Sequence, residues 1–180
     1  MDDLHDDRDL GTLAPAGDRW SLTFTRSLGH PPDKVWRAIT EDEHLSAWFP
    51  QTIVGERRAG AALRFVTSDD ADEGFAGELL VFDPPHVLEM TWGDDVLRIE
   101  LAPDGDGTRL TLVDTFAEHG KAARDAAGWH ECLDLLVIEV DGGDPPEQGE
   151  VWAAVHPAYV AALGPEASTI GPPEGAAAGS

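Results

Sequence analysis

Cysteine, lysine and tyrosine are almost missing from this chain. Cys132 is the only cysteine, which excludes an intrachain disulfide. Lys34 and Lys121 are the only lysines, and 12 basic residues face 35 acidic ones, for a formal net charge of -23. Such a surface repels phosphate backbones and anionic lipid, so neither nucleic acid nor a membrane is expected as a partner. Its general consequence is solubility, and adaptation to a salt-rich host is the sharper reading of the same charge. No apolar run is long enough to span a bilayer, and the first residues, Met1 to Asp9, are acidic where a secretory segment would be apolar. A cytoplasmic protein is expected. The seven histidines form no HxxxH or HExxH pair and have no cysteine pair beside them, so no metal site is expected. Gly105 and Gly107 read as hairpin residues, not as a phosphate cradle, and no cofactor is expected.

What is present suits one domain with tails. The 180 residues are 42% hydrophobic, enough for a core. Residues 1–18 mix Asp, Gly and Pro without periodicity and read as a disordered acidic arm. Residues 164–180 are rich in Pro, Gly and Ala and read as a flexible tail. A single domain is expected over 19–163.

Within it the apolar period changes twice. Trp20, Leu22, Phe24, Arg26 and Leu28 alternate with small polar residues, as in a strand with one apolar face. Pro32 and Asp33 suit a helix start, and Val35, Trp36 and Ile39 lie at helical spacing to Thr40. A second short helix from Glu41 or Asp42 carries Leu45, Trp48 and Phe49 until Pro50. Alternating segments follow at 52–56, 61–67, 75–82, 87–92, 96–101 and 108–116, joined by an acidic loop (68–74) and Gly, Asp and Pro turns, the pattern of an antiparallel meander. From Ala126 to Val140 the period becomes helical, with one wide apolar face. A last helical segment, about 147–163, contains Pro157, which should split or kink it, and Gly164, which should cap it.

The order predicts an α+β fold: a curved antiparallel sheet around a long C-terminal helix, with two short helices after the first strand. A cavity is expected between sheet and helix. Phe65, Leu88, Met90 and Trp92 would line it from one part of the sheet. Leu97, Ile99, Leu101, Leu110, Leu112 and Phe116 would line the rest, facing Trp129, Leu133 and Leu136 of the helix. Trp36, Trp48 and Phe49 would plug the end. A solidly filled core has the same sequence signature. Asp114 shares the apolar face; near a strand end it is read as hydrated, and if buried it would orient a ligand hydroxyl or act as a base. Arg26 falls on the inward phase, where an internal ion pair is expected. His44 lies between the plug helices, as a solvated residue or a polar group at a cavity mouth. His130 and Cys132 point apart at their spacing, so no catalytic dyad is expected.

The run "FTRSLGHPPDKVWRAITEDEHLSAWFP" (Phe24 to Pro50) resembles the opening of SRPBCC-type, START-like proteins, in the branch related to the activator of the ninety-kilodalton heat-shock chaperone's ATPase. The matching elements are Arg26, Pro32, the "VWRA" of Val35 to Ala38 and the "AWF" of Ala47 to Phe49. "GELLVFDPPHVLEMTW" (Gly77 to Trp92), "GTRLTLVDTF" (Gly107 to Phe116) and "GWHECLDLL" (Gly128 to Leu136) resemble that branch's later strands and closing helix, in the same order. The resemblance implies a helix-grip fold with a central hydrophobic cavity. It implies binding of a small hydrophobic or aromatic ligand, with a polyketide cyclase or dehydratase-like enzyme as the alternative. An activator-like role toward a chaperone is the third reading. Only the acidic arm precedes Trp20, where the eukaryotic activator has a further domain, so a chaperone partner is not expected. The segment carrying Trp152 and Tyr159 would offer an outer apolar patch for a partner or a homodimer, or pack back on the domain.

Overall fold

The computed structural model describes residues 10–67 and 74–171. Eight strands form one antiparallel sheet in the order β1-β2-β8-β7-β6-β5-β4-β3. The strands are β1 (Thr12–Ala16), β2 (Arg19–Leu28), β3 (Thr52–Val54), β4 (Ala62–Val66), β5 (Gly74–Asp83), β6 (Val87–Trp92), β7 (Asp95–Asp104) and β8 (Gly107–Phe116). Helices α1 (Pro32–Thr40) and α2 (Asp42–Trp48) bridge β2 and β3, α3 (Ala122–Asp141) follows the sheet, and α4 (Glu150–Leu163) lies on α3. This is the expected helix-grip arrangement.

Period-two alternation sets which side chains meet the helix. Leu22, Phe24, Leu110, Leu112, Leu97 and Ile99 are all buried, and the pairing brings Phe24 opposite Leu112 and Leu112 opposite Ile99. A register slip of one residue would turn this set outward, so the buried face holds the pairing in place. α3 buries Ala122, Ala123, Ala126, Ala127, Leu133 and Leu136. The small residues of its first turns let it approach closely. Gly142 ends it at φ 77, and the N–H groups of Gly142 and Gly143 satisfy the Glu139 and Ile138 carbonyls.

Three expectations need correction. Thr12–Ala16, placed in the disordered arm, pairs with Trp20–Thr23 and Arg19 as strand β1, and buried Gly11 donates its N–H to the Tyr159 hydroxyl at 2.8 Å. The ladder and the Phe24 ring lying against Gly11 order a segment whose own composition carries no periodicity. The tail is ordered through residue 171: Pro165–Ser168 form a 3-10 turn, Ala167 is buried, and Ile170 donates its N–H to Gly120. Residues 1–9, 172–180 and most of the acidic loop lie outside the described residues. Pro157 does not divide α4, which runs unbroken from Glu150 to Leu163. Buried Val155 and Tyr159 on either side of the proline are held against α3 and carry the helix across it.

The same helix packs back on the domain. Tyr159 is wholly buried, and the Trp152 indole donates to the Arg124 carbonyl at 3.2 Å. These two aromatics therefore do not form an outer apolar patch.

Candidate functional site

Alternation in β4, β5 and β6 brings three rings to one side of the sheet's far half, and the end of α2 and the first half of α3 add two more. Phe49 lies 6.0 Å from Trp129, Trp129 5.3 Å from Trp92, and Trp92 5.7 Å from Phe75, between ring centroids. Phe75 lies 5.1 Å from Phe65, and Phe65 6.1 Å from Phe49, closing a circuit of five rings. Trp129–Trp92 and Trp92–Phe75 meet edge to face, the arrangement their quadrupoles favour. Phe49, Phe65 and Trp129 are buried, whereas Phe75 and Trp92 are half-buried and form the solvent side. The Trp92 indole N–H is fixed to Gln51 at 2.9 Å.

The circuit touches an acidic group. The Trp129 indole donates to Asp114 Oδ2 at 3.1 Å. Asp114 is 0% exposed, so the expectation of a hydrated carboxylate at a strand end is wrong. It faces Leu22 across one neighbouring strand and Leu97 across the other, under α3, where water does not reach. Its Oδ1 has no hydrogen-bond partner among the described residues. Burial, with the nearby Asp95 and Asp125 charges, pushes its pKa up to about 8. Asp114 is therefore mostly protonated at neutral pH.

Asp95 and Asp125 each offer a carboxylate oxygen, and these and one of Asp114 lie within 4.8 Å of one another. Lys121 sits among them, 2.7 Å from Asp95 Oδ2 and 3.3 Å from Asp125 Oδ2, and Arg124 holds Asp125 Oδ1 at 2.9 Å. Burial raises the Asp95 pKa despite the Lys121 hydrogen bond. Burial works against the Lys121 ammonium, but Asp95 and Asp125 outweigh it and raise its pKa. Asp95 is brought here by the tight turn that pairs it with Trp92, so acids and rings meet at one end of the sheet.

The other expected site residues divide. Leu97, Ile99, Leu101, Leu110, Leu112, Phe116, Leu133 and Leu136 are packed core. Leu88 and Met90, with Ile39, Leu45 and Arg57, line a void of about 10 Å³ between the helix pair and the sheet. That is room for roughly one water, not for a guest. The wide cavity expected under α3 is filled by the rings themselves. Trp48 donates to the Ala38 carbonyl at 2.9 Å and ties α2 to α1, while Trp36 packs 5.4 Å from Phe82, away from the circuit. Of the three plug residues Phe49 is a member of the circuit, and Trp48 meets its ring edge to face at 5.5 Å. Arg26 makes the expected internal ion pair, 3.7 Å from Asp134. His44 hydrogen-bonds Glu139 at 3.1 Å beside an open groove of about 200 Å³, lined also by Lys34 and Arg37. Burial pushes the Cys132 thiol up to about 12, too high for a nucleophile. His130 Nδ1 meets the Tyr159 hydroxyl at 2.8 Å, in a buried link between α3, α4 and Gly11.

Sequence reasoning missed Phe75, Asp95, Lys121 and Asp125. Phe75 opens a strand and Asp95 closes a turn, so neither stands out by period. Lys121 and Asp125, at i and i+4 across the start of the helix, were the legible signal.

Residues 29–141 match the family described as activator of Hsp90 ATPase homolog 1-like protein. The chain belongs to this family. Its fold group has ligand-binding and cyclase-like members. No curated protein matches the chain. Among solved structures, the chain is similar to CalU16 from Micromonospora echinospora, at 23% identity over 85% of this chain and 95% of that one, with a TM-score of 0.67. It is similar to a conserved protein of unknown function from Enterococcus faecalis, at 20% identity over 85% and 90%, with a TM-score of 0.72. A protein from Bordetella parapertussis has 28% identity over 77% and 84%, with a TM-score of 0.62. At such identities the likeness speaks for the fold. No helix among the described residues is long and apolar enough to cross a membrane.

Proposed function

We propose that the protein binds a small hydrophobic or aromatic molecule between the sheet and α3. The observation that carries this reading is the ring circuit. Two of its members, Phe75 and Trp92, are half-buried, so an aromatic guest reaches Trp129 by displacing side chains at the surface end rather than by breaking the sheet. Aromatic faces and edges offered to a flat guest contribute about 0.5–1.5 kcal/mol per pair beyond area burial. The guest takes the place of rings that pack on one another, which is why the filled interior and the binding reading are compatible.

A second reading, a cyclase or dehydratase-like enzyme, rests on Asp114. A buried carboxyl that holds its proton at neutral pH is poised to act as a general acid toward a guest beside Trp129.

The test is binding of naphthalene and other aromatic compounds followed by quenching of tryptophan emission, with native mass spectrometry for stoichiometry. Saturable quenching at one molecule per chain, weakened in Trp92→Ala, is the expected result. Unchanged emission and mass across an aromatic panel would sink the proposal.

A further inference from the structure

We infer that the guest carries a positively charged amine, and that Asp114 is its counter-ion. This inference rests on the binding reading above and names the class of molecule. Three carboxylates, Asp95 on β7, Asp114 on β8 and Asp125 on α3, converge within 4.8 Å. Two cations serve them: Lys121 bridges Asp95 and Asp125, and Arg124 holds the far oxygen of Asp125. Arg19 on β2 acts on Asp95 from further off. Asp114 makes no ion pair with any of the three, and Lys121 acts on it only from a distance. Among the described residues its carboxyl takes one hydrogen bond, from the neutral indole of Trp129, and its Oδ1 is left over in a wholly buried position.

Asp114 is thus the member of the cluster with no cation in ion-pair contact, and a proton on it stands where a counter-ion would. An ammonium group would replace that proton. The surroundings suit an organic ammonium better than a metal ion. The indole N–H covers Oδ2, and Lys121 already stands between the other two carboxylates, positions that a metal would need for its ligands. Aromatic faces attract an ammonium through their quadrupoles, and Trp129 belongs both to the ring circuit and to the Asp114 contact. The net charge of -23 draws cations toward the chain and repels anions. The body of the guest lies among the rings and its amine reaches Asp114 Oδ1. On binding, Asp114 gives up its proton to solvent, and the amine, which enters protonated, stays so.

The experiment uses three compounds with one body and different heads: naphthylethylamine, naphthylethanol and naphthylacetate. Each is titrated into the full chain by calorimetry at neutral pH, in buffers of differing ionisation enthalpy, and into Asp114→Asn. The expected result is binding of the amine at least about tenfold tighter than the alcohol, with the acid weakest. Release of close to one proton should accompany the amine and none the alcohol. In Asp114→Asn the amine's advantage should fall to about onefold and the proton release should vanish. Equal affinity of amine and alcohol for the wild-type chain, or amine binding without proton release, would overturn the amine inference and leave the hydrophobic guest standing. Failure of all three compounds to bind would overturn the binding reading and this inference with it. Calcium or manganese displacing the amine at equal stoichiometry would overturn it in favour of an inorganic cation. The buffer comparison needs no variant, so the inference stays testable if Asp114→Asn fails to fold.

Discussion

Trp129 and Asp114 meet at 3.1 Å across the boundary between helix and sheet, and this hydrogen bond joins a five-ring aromatic circuit to a buried acid cluster. It is the only hydrogen bond the Asp114 carboxyl receives among the described residues, and its other oxygen has none. The stability of this part of the molecule should depend on the proton that Asp114 retains.

The pH dependence follows in sign. The Asp114 pKa stands near 3.8 in the unfolded chain and at about 8 in the folded one, so the folded state binds more protons between those values. Its contribution is fully present below the lower value and is lost as pH rises to the upper one, by on the order of a few kcal/mol. Asp95 and Glu131 are also raised by burial and act in the same direction. Urea denaturation from pH 5 to 9 should show stability falling toward pH 8 in the wild type and a markedly flatter curve in Asp114→Asn. Parallel curves would show that Asp114 is not the group responsible.

Removing the Trp129 donor isolates the hydrogen bond from the ring. Trp129→Phe keeps an aromatic body but leaves both Asp114 oxygens unpaired, at a cost of about 1–3 kcal/mol for the lost bond. The double variant with Asp114→Leu removes both polar groups and should recover part of that loss. Chemical denaturation of the two single variants and the double variant measures the coupling.

Depth within the circuit should grade its substitutions. Phe65 is wholly buried, and Phe65→Ala should cost about 3–5 kcal/mol. Trp92 is half-buried with its N–H on Gln51, so Trp92→Ala should cost clearly less. Equal losses in the two variants would contradict a circuit that opens at Trp92.

Tyr159 is the polar link between the two ends of the chain. Its hydroxyl accepts from the Gly11 N–H and pairs with His130 Nδ1, each at 2.8 Å, inside the core. Tyr159→Phe should cost about 1–3 kcal/mol by leaving buried groups unpaired. Hydrogen exchange should speed up at Gly11 and along β1 more than in β7 and β8, since β1 is an edge strand paired only to β2.

How much of this was legible in the sequence differs by element. The helix pair, the meander and the long helix were readable because their apolar periods are strong. Trp36, Ile39, Leu97, Ile99, Leu110 and Leu112 fall inward as alternation and helical spacing require. β1 was not readable, because its residues carry no period and it is ordered by the β2 ladder and by Tyr159, 148 positions away from Gly11.

The sequence by itself determined the layers: which residues turn inward, where strands stop, and that one acidic residue, Asp114, shares the apolar face. Only the tertiary structure decided how that interior is used. Period states a direction but not a distance, so it could not tell an open cavity from rings closed on one another. Nor could it bring Asp95, Asp125 and Lys121 to Asp114, since their meeting depends on how a turn, a strand and a helix start are packed in space.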